Sequence, residues 1–74
     1  MAITYKKLFH LLIDKKISNT QLSEKAGISL NIVTRLKRDE YVSLETLEKI
    51  CKALECNVED ILEFDFSNTN NKNN

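Results

Sequence analysis

Seventy-four residues, 42% of them hydrophobic and with a net charge of zero, suffice for one small domain and not for two. No apolar run approaches the roughly 20 residues of a membrane span, and the N-terminus lacks the apolar core of a secretion signal, so a cytoplasmic chain with no membrane partner is expected. Two cysteines and one histidine do not make a credible zinc set, and neither a metal nor another cofactor is expected.

In chain order, Thr4 is placed to cap a first helix. Tyr5, Leu8, Phe9 and Leu12 recur in it at spacings of three and four, with Leu11 and Ile13 broadening the stripe. His10 has no partner at a catalytic or ligand spacing and reads as a surface or boundary side chain. Ser18 with Gln21 forms a capping-box signature for a second helix, whose buried face is Leu22 and Ala26 with Ser23 small beside them. Gly27, the one glycine of the chain, can take the left-handed conformation that ends a helix without steric cost. Ile28 plugs the turn, Ser29 caps a third helix, and Val33 and Leu36 face back toward the second. The result is helix, tight turn, helix.

Opposite Val33 and Leu36 on the helical wheel lie Leu30, Asn31, Thr34, Arg35 and Arg38. Asn and Arg can make paired hydrogen bonds to adenine and guanine edges, and Leu or Thr can touch a thymine methyl. The polar stretch KRDEYV then reads as a loop, with Lys37 and Arg38 where phosphates would pass and Tyr41 and Val42 as tethers to the core. Ser43 caps a fourth helix with Glu45 in its first turn, and Leu44, Leu47, Ile50, Cys51 and Leu54 give it the clearest apolar stripe. Cys51, expected to be buried, and Cys56 are read as reduced thiols. Five residues apart in one helix they would stand about 8 to 9 Å apart, beyond disulfide reach. Asn57 and Asp60 mark the start of a fifth helix with Val58, Ile61 and Leu62 inside. Phe64 and Phe66 exceed what one narrow stripe can bury, and they either form an association surface or wrap back over the core. The domain is expected over residues 1–66, and SNTNNKNN, residues 67–74, as a disordered polar tail.

The zero net charge conceals a polarity. From Met1 to Arg38 eight basic side chains face two acidic ones, a net +6, and from Asp39 to Phe66 two basic face nine acidic, a net −7. Such a chain can present one face to a polyanion, or its charges can pair within the fold.

With five helical segments placed, the chain resembles the Cro and lambda-type repressor helix-turn-helix family, often called Xre-like. The similarity is to the small single-domain branch in which a stretch like SLETLEKICKALECNVEDILE follows the third helix. It covers about residues 3 to 64, and two segments carry it, Asn19 to Leu36 and Ser43 to Leu62. It implies an all-α, five-helix lambda-repressor-like domain whose third helix enters the major groove while the second lies across the backbone. Carried onto this sequence, Asn19 and Thr20 would meet a phosphate, and Leu30, Asn31, Thr34 and Arg35 would read bases. Ser29 would contact a phosphate or a base, and Lys37 and Arg38 would hold the backbone. Many members have alanine where Ser23 stands and a polar residue at the place of Leu30. Many also have glycine near Asp39, and an Asp there takes the left-handed conformation at a cost, so a different loop is expected.

The expected function is that of a double-stranded-DNA-binding transcriptional regulator, a repressor acting by occupancy. Such proteins usually bind as dimers, and Ile61, Phe64 and Phe66 are the candidate dimer contacts. The alternative is a protein-interaction module or antitoxin on the same fold, using the acidic fourth and fifth helices. An enzyme is not expected, since no nucleophile and base or paired carboxylates stand at motif spacing, and with no separate effector domain no small-molecule ligand is expected either.

Overall fold

Serine hydroxyls open three helices of this chain. Ser18 Oγ accepts from the Gln21 amide at 3.1 Å, Ser29 Oγ from Ile32 at 3.2 Å and Ser43 Oγ from Thr46 at 3.1 Å. Each bond satisfies a backbone donor that a helix start leaves without an intrahelical acceptor. The Ser18 amide also donates to Gln21 Oε1, completing the expected capping box. The computed structural model describes residues 2–66. Within them the chain forms β1 (Ile3–Thr4), α1 (Lys6–Lys15), α2 (Asn19–Ala26), α3 (Leu30–Lys37), α4 (Leu44–Leu54), a single 3-10 turn (Val58–Asp60) and β2 (Glu63–Phe64). The polar tail expected over 67–74 lies outside the described residues.

The helix ends share one device. Lys16, Gly27, Asp39 and Glu55 all take positive φ, 59°, 70°, 57° and 55°. The residue after each donates its amide to the carbonyl five positions back: Ile17 to Leu12 at 2.9 Å, Ile28 to Ser23 at 3.1 Å, Glu40 to Arg35 at 3.0 Å and Cys56 to Cys51 at 3.0 Å. This is the Schellman closure, which turns the chain sharply and brings the two side chains of each bonded pair together. Only one of the four left-handed positions holds glycine. The others bear a side chain there at a steric cost, which is why no glycine or proline marks these ends in the sequence.

The core contains Leu8 and Leu12 from α1, Leu22 and Ala26 from α2, Val33 and Leu36 from α3, and Leu47, Ile50 and Leu54 from α4, with Ile3, Tyr5, Ile28 and Ile61. α2 packs on both α3 and α4, and the 3-10 turn bridges α1 and α4. Three members of the expected stripes lie outside, Val58 of the last segment among them at 47% exposed. Ile13 is exposed, and Leu44, in the first turn of α4, is 82% exposed.

The fifth helix is not formed. Asn57 and Asp60 make their capping box, the Asn57 amide donating to Asp60 Oδ2 at 3.0 Å, but the helical segment stops after one turn. Glu63–Phe64 instead pairs antiparallel with Ile3–Thr4, in the register Ile3 with Phe64 and Thr4 with Glu63. The Asp65 amide extends the pairing to the Ala2 carbonyl at 2.6 Å. One helical turn carries little stability of its own, and the ribbon gives the backbone of Ile3 and Thr4 hydrogen-bond partners that a helix would have left unmet. Thr4 accordingly belongs to β1, though its Oγ1 still accepts from the Lys6 amide at 3.3 Å.

The loop after α3 supplies what Thr4 does not. Asp39 Oδ1 accepts from the Tyr5 amide at 3.0 Å, and the Tyr5 hydroxyl donates to the Glu40 carbonyl at 2.8 Å. Tyr5 is fully buried, and burial, followed by the nearby Asp39 carboxylate, raises its pKa above the ordinary 10.0.

Two stability experiments follow. Apart from Gly27 itself and its two chain neighbours, no heavy atom lies within 4 Å of a Cβ added at Gly27, so Gly27→Ala meets only the positive-φ strain. It should destabilise by about 1 to 2 kcal/mol in chemical denaturation, and Gly27→Asn by less. Tyr5→Phe leaves the Glu40 carbonyl without its donor and should cost about 0.5 to 1.5 kcal/mol at neutral pH. Because the folded state keeps Tyr5 protonated, that difference is constant below the ordinary tyrosine pKa and shrinks as pH rises above it, through the raised folded value.

Candidate nucleic-acid interface

The turn between α2 and α3 is fixed from three directions by Ser23. Its carbonyl accepts from the Gly27 amide at 2.9 Å and from the Ile28 amide at 3.1 Å, and its hydroxyl donates to the Ile28 carbonyl at 2.6 Å. An alanine at this place would keep the two backbone bonds and lose the third. Ile28 is buried beneath the turn. With Val33 and Leu36 also buried, α3 cannot roll about its axis, and its opposite side is held outward.

That side carries the candidate base-reading residues. Asn31, Thr34 and Arg35 are exposed, and Leu30 is 51% exposed. Their side chains differ in freedom. Asn31 has no hydrogen-bond partner among the described residues and keeps its amide group for a ligand. The Thr34 hydroxyl donates back to the Leu30 carbonyl at 3.1 Å. Arg35 is the most engaged, its Nε donating to Glu40 Oε1 at 3.2 Å and a terminal nitrogen to the Tyr41 carbonyl at 2.8 Å.

Around this face stand the candidate backbone contacts. At the start of α2, Thr20 is exposed and Asn19 half-buried. The capping box uses the Ser18 and Gln21 amides and leaves those of Asn19 and Thr20 at the positive end of the helix. Ser29 is exposed at the mouth of α3, its oxygen occupied by the Ile32 amide and its hydroxyl proton free to donate outward. Lys37 and Arg38 are exposed at the far end, Arg38 lying 3.9 Å from the Glu40 carboxylate. Ser29 therefore stands at the opening of α3, and Lys37 and Arg38 at its end.

The loop residues Asp39 and Glu40 were not among the sequence candidates. Asp39 offered a signal in its place at a helix end, where a carboxylate can reach a neighbouring amide. Glu40 offered none until the closure of α3 set it beside Arg35.

The candidate dimer contacts separate. Ile61 is fully buried in the core and is not available to a partner. Phe64 and Phe66 are 58% and 59% exposed, and their rings stack on each other with centroids 6.1 Å apart. Phe64 borders an apolar groove of about 450 Å³ that also takes in Tyr41, Val42, Leu44, Val58 and Leu62. The groove adjoins the ribbon, and Tyr41 links its rim to the end of α3. The cysteines also depart from expectation. Cys51 is half-buried, and Cys56 lies beyond the end of α4, so the closure brings together two thiols that one helix would have kept apart. Burial raises both pKa values, that of Cys56 to about 11, so both thiols stay protonated at neutral pH.

Comparison with known proteins agrees with this geometry. A sequence model described as the Cro/C1-type HTH DNA-binding domain matches residues 7–67. An uncharacterized HTH-type transcriptional regulator of Bacillus subtilis (strain 168), YozG, is 46% identical over 56 residues, covering 73% of this chain and 67% of that protein. The crystal structure of the transcriptional regulator VanUg superposes with a TM-score of 0.79 at 39% identity, covering 84% of this chain and 83% of that one. The chain belongs to the Cro/C1-type helix-turn-helix family of DNA-binding domains.

Proposed function

We propose that this chain is a sequence-specific transcriptional repressor that inserts α3 into the DNA major groove and lays α2 across the backbone. The observation that carries the reading is the exposure of Leu30, Asn31, Thr34 and Arg35 along one side of a helix whose other side is locked in the core. The major groove, roughly 12 Å wide, admits a helix such as α3, and a helix presenting an uncommitted amide and an exposed guanidinium can distinguish base pairs there. In this reading Asn31 is the principal base reader, and Leu30 with the Thr34 methyl supplies apolar contact. Arg35 reaches a base or a phosphate only by releasing Glu40 and Tyr41. The Asn19 and Thr20 amides, Ser29, Lys37 and Arg38 hold the backbone on either side. Repression follows from occupancy of the operator, and no catalytic residue or cofactor is assigned. Control by expression level or a protein partner is part of the proposal.

One short recognition helix binds weakly, and a second copy on an adjacent half-site supplies the missing contact area. We assign the dimer contact to Phe64 and Phe66 with the rim of the neighbouring groove. Tyr41, Leu44 and Val58 are exposed there beside Phe64, more contiguous apolar surface than isolated exposed residues provide.

Selection of bound duplexes from a random library should recover a site with two related halves about one DNA turn apart. On that site Asn31→Ala should cost about 1 to 3 kcal/mol and relax preference at one base pair, whereas Lys37→Ala should weaken all duplexes alike. Equal losses on selected and random duplexes for both variants would refute these roles. The absence of any shifted species at low salt would instead favour a protein-interaction module. In sedimentation, Phe64→Asp should convert a dimer to a folded monomer, and an unchanged association constant would remove the ribbon from the contact.

A further inference from the structure

The carboxylate of Glu40 stands against two arginines at the end of α3. Its Oε1 lies 3.2 Å from Arg35 Nε and its Oε2 3.9 Å from Arg38 NH1, so one anion serves two guanidinium groups at the end of α3. The placement is imposed by the backbone. Asp39 turns left-handed, and the Glu40 amide then binds the Arg35 carbonyl at 3.0 Å. The Glu40 carbonyl is held at 2.8 Å by the Tyr5 hydroxyl, itself rooted in the core. In the corresponding closures of α1 and α2 the residue beyond the left-handed position is Ile17 or Ile28. After α3 it is an acid.

Guanidinium groups bind carboxylate and phosphate through the same paired geometry, and both anions carry about one negative charge per site. We propose that Glu40 is a built-in competitor of DNA for Arg35 and Arg38. The inference rests on the DNA-binding reading above and adds a determinant of its selectivity. In the free protein the carboxylate occupies both arginines. A random duplex offers Arg35 only a phosphate, an exchange of one anion for another with little gain, and the freed Glu40 then repels the backbone nearby. A matched site offers a base edge with two acceptors, which compensates for the lost ion pair. Glu40 therefore weakens binding to random DNA more than binding to the operator.

The test is a titration of wild type, Glu40→Gln and Glu48→Gln against selected and random duplexes at several salt concentrations. Glu48 is an exposed acid on α4, so its variant controls for the loss of one negative charge. Glu40→Gln should bind random duplex about two- to fivefold more tightly, the equilibrium equivalent of an exposed ion pair. Its salt slope should steepen by about one, as an additional phosphate contact requires. The gain on the selected site should be smaller, so the specificity ratio falls. Unchanged or weaker random binding, or an equal effect of Glu48→Gln, would overturn the proposal. A second readout uses the wild type alone: the Arg35 Nε–H resonance should shift when selected duplex is added, and a resonance that keeps its free position in the complex would also overturn it. If the wild type binds no duplex, the DNA-binding reading itself fails. If it binds and Glu40→Gln matches it, only the competitor role fails.

Discussion

The structure depends on one backbone event, a single left-handed residue followed by an amide that reaches five positions back. It ends α1, α2, α3 and α4 in turn, and each occurrence joins a different pair of residues. Leu12 and Ile17 meet at the end of α1, and Ser23 and Ile28 lock the turn between α2 and α3. Arg35 and Glu40 form an ion pair at the edge of the candidate DNA face, and Cys51 and Cys56 place two protonated thiols side by side. A helix end needs its last carbonyls satisfied, and this closure does so within a few residues. It therefore suits a chain too short to use long loops.

Three of those four positions lack glycine, and the strain at Asp39 is offset by a contact that glycine could not make. Its carboxylate takes the Tyr5 amide at the opening of α1, where β1 leaves no serine or threonine cap. Tyr5 answers with a bond to the Glu40 carbonyl. The start of the first helix and the end of the third are thereby tied together, and the loop beside the candidate DNA face is anchored to the buried Tyr5. The charge polarity of the sequence takes on a local meaning here. Asp39 and Glu40 open the acidic half, and both turn back on the basic half rather than extend away from it.

The two candidate surfaces meet at this loop. Arg35 on the candidate reading face bonds to the carbonyl of Tyr41, and the Tyr41 side chain borders the apolar groove. In the proposed dimer, the segment joining groove to recognition helix would set the distance between the two helices on DNA. Phe64 borders the groove from the extended segment Glu63–Phe64, and Phe66 stacks on it. In a fifth helix their spacing of two would have placed them on different faces.

Much of this was legible in the residues. Capping serines, the glycine turn and apolar residues at spacings of three and four gave α1 to α4 and the outward side of α3, because these features depend on neighbours no more than five positions apart. Contacts between distant parts of the chain were not legible. Asn57 and Asp60 form the cap they advertise, yet the helix beyond them gives way to pairing with Ile3 and Thr4, some sixty residues earlier. Ile61, inside by pattern and also named as a dimer contact, is consumed by the core, and Leu44, a core candidate by pattern, is left outside. The capture of Arg35 by Glu40 required a left-handed Asp39 that no local preference demanded. The sequence by itself determined the first four helices and which side of α3 is polar, since helical periodicity and capping are local. Only the tertiary structure decided where the last segment goes and which charges are already taken, because both depend on partners that proximity along the chain does not reveal.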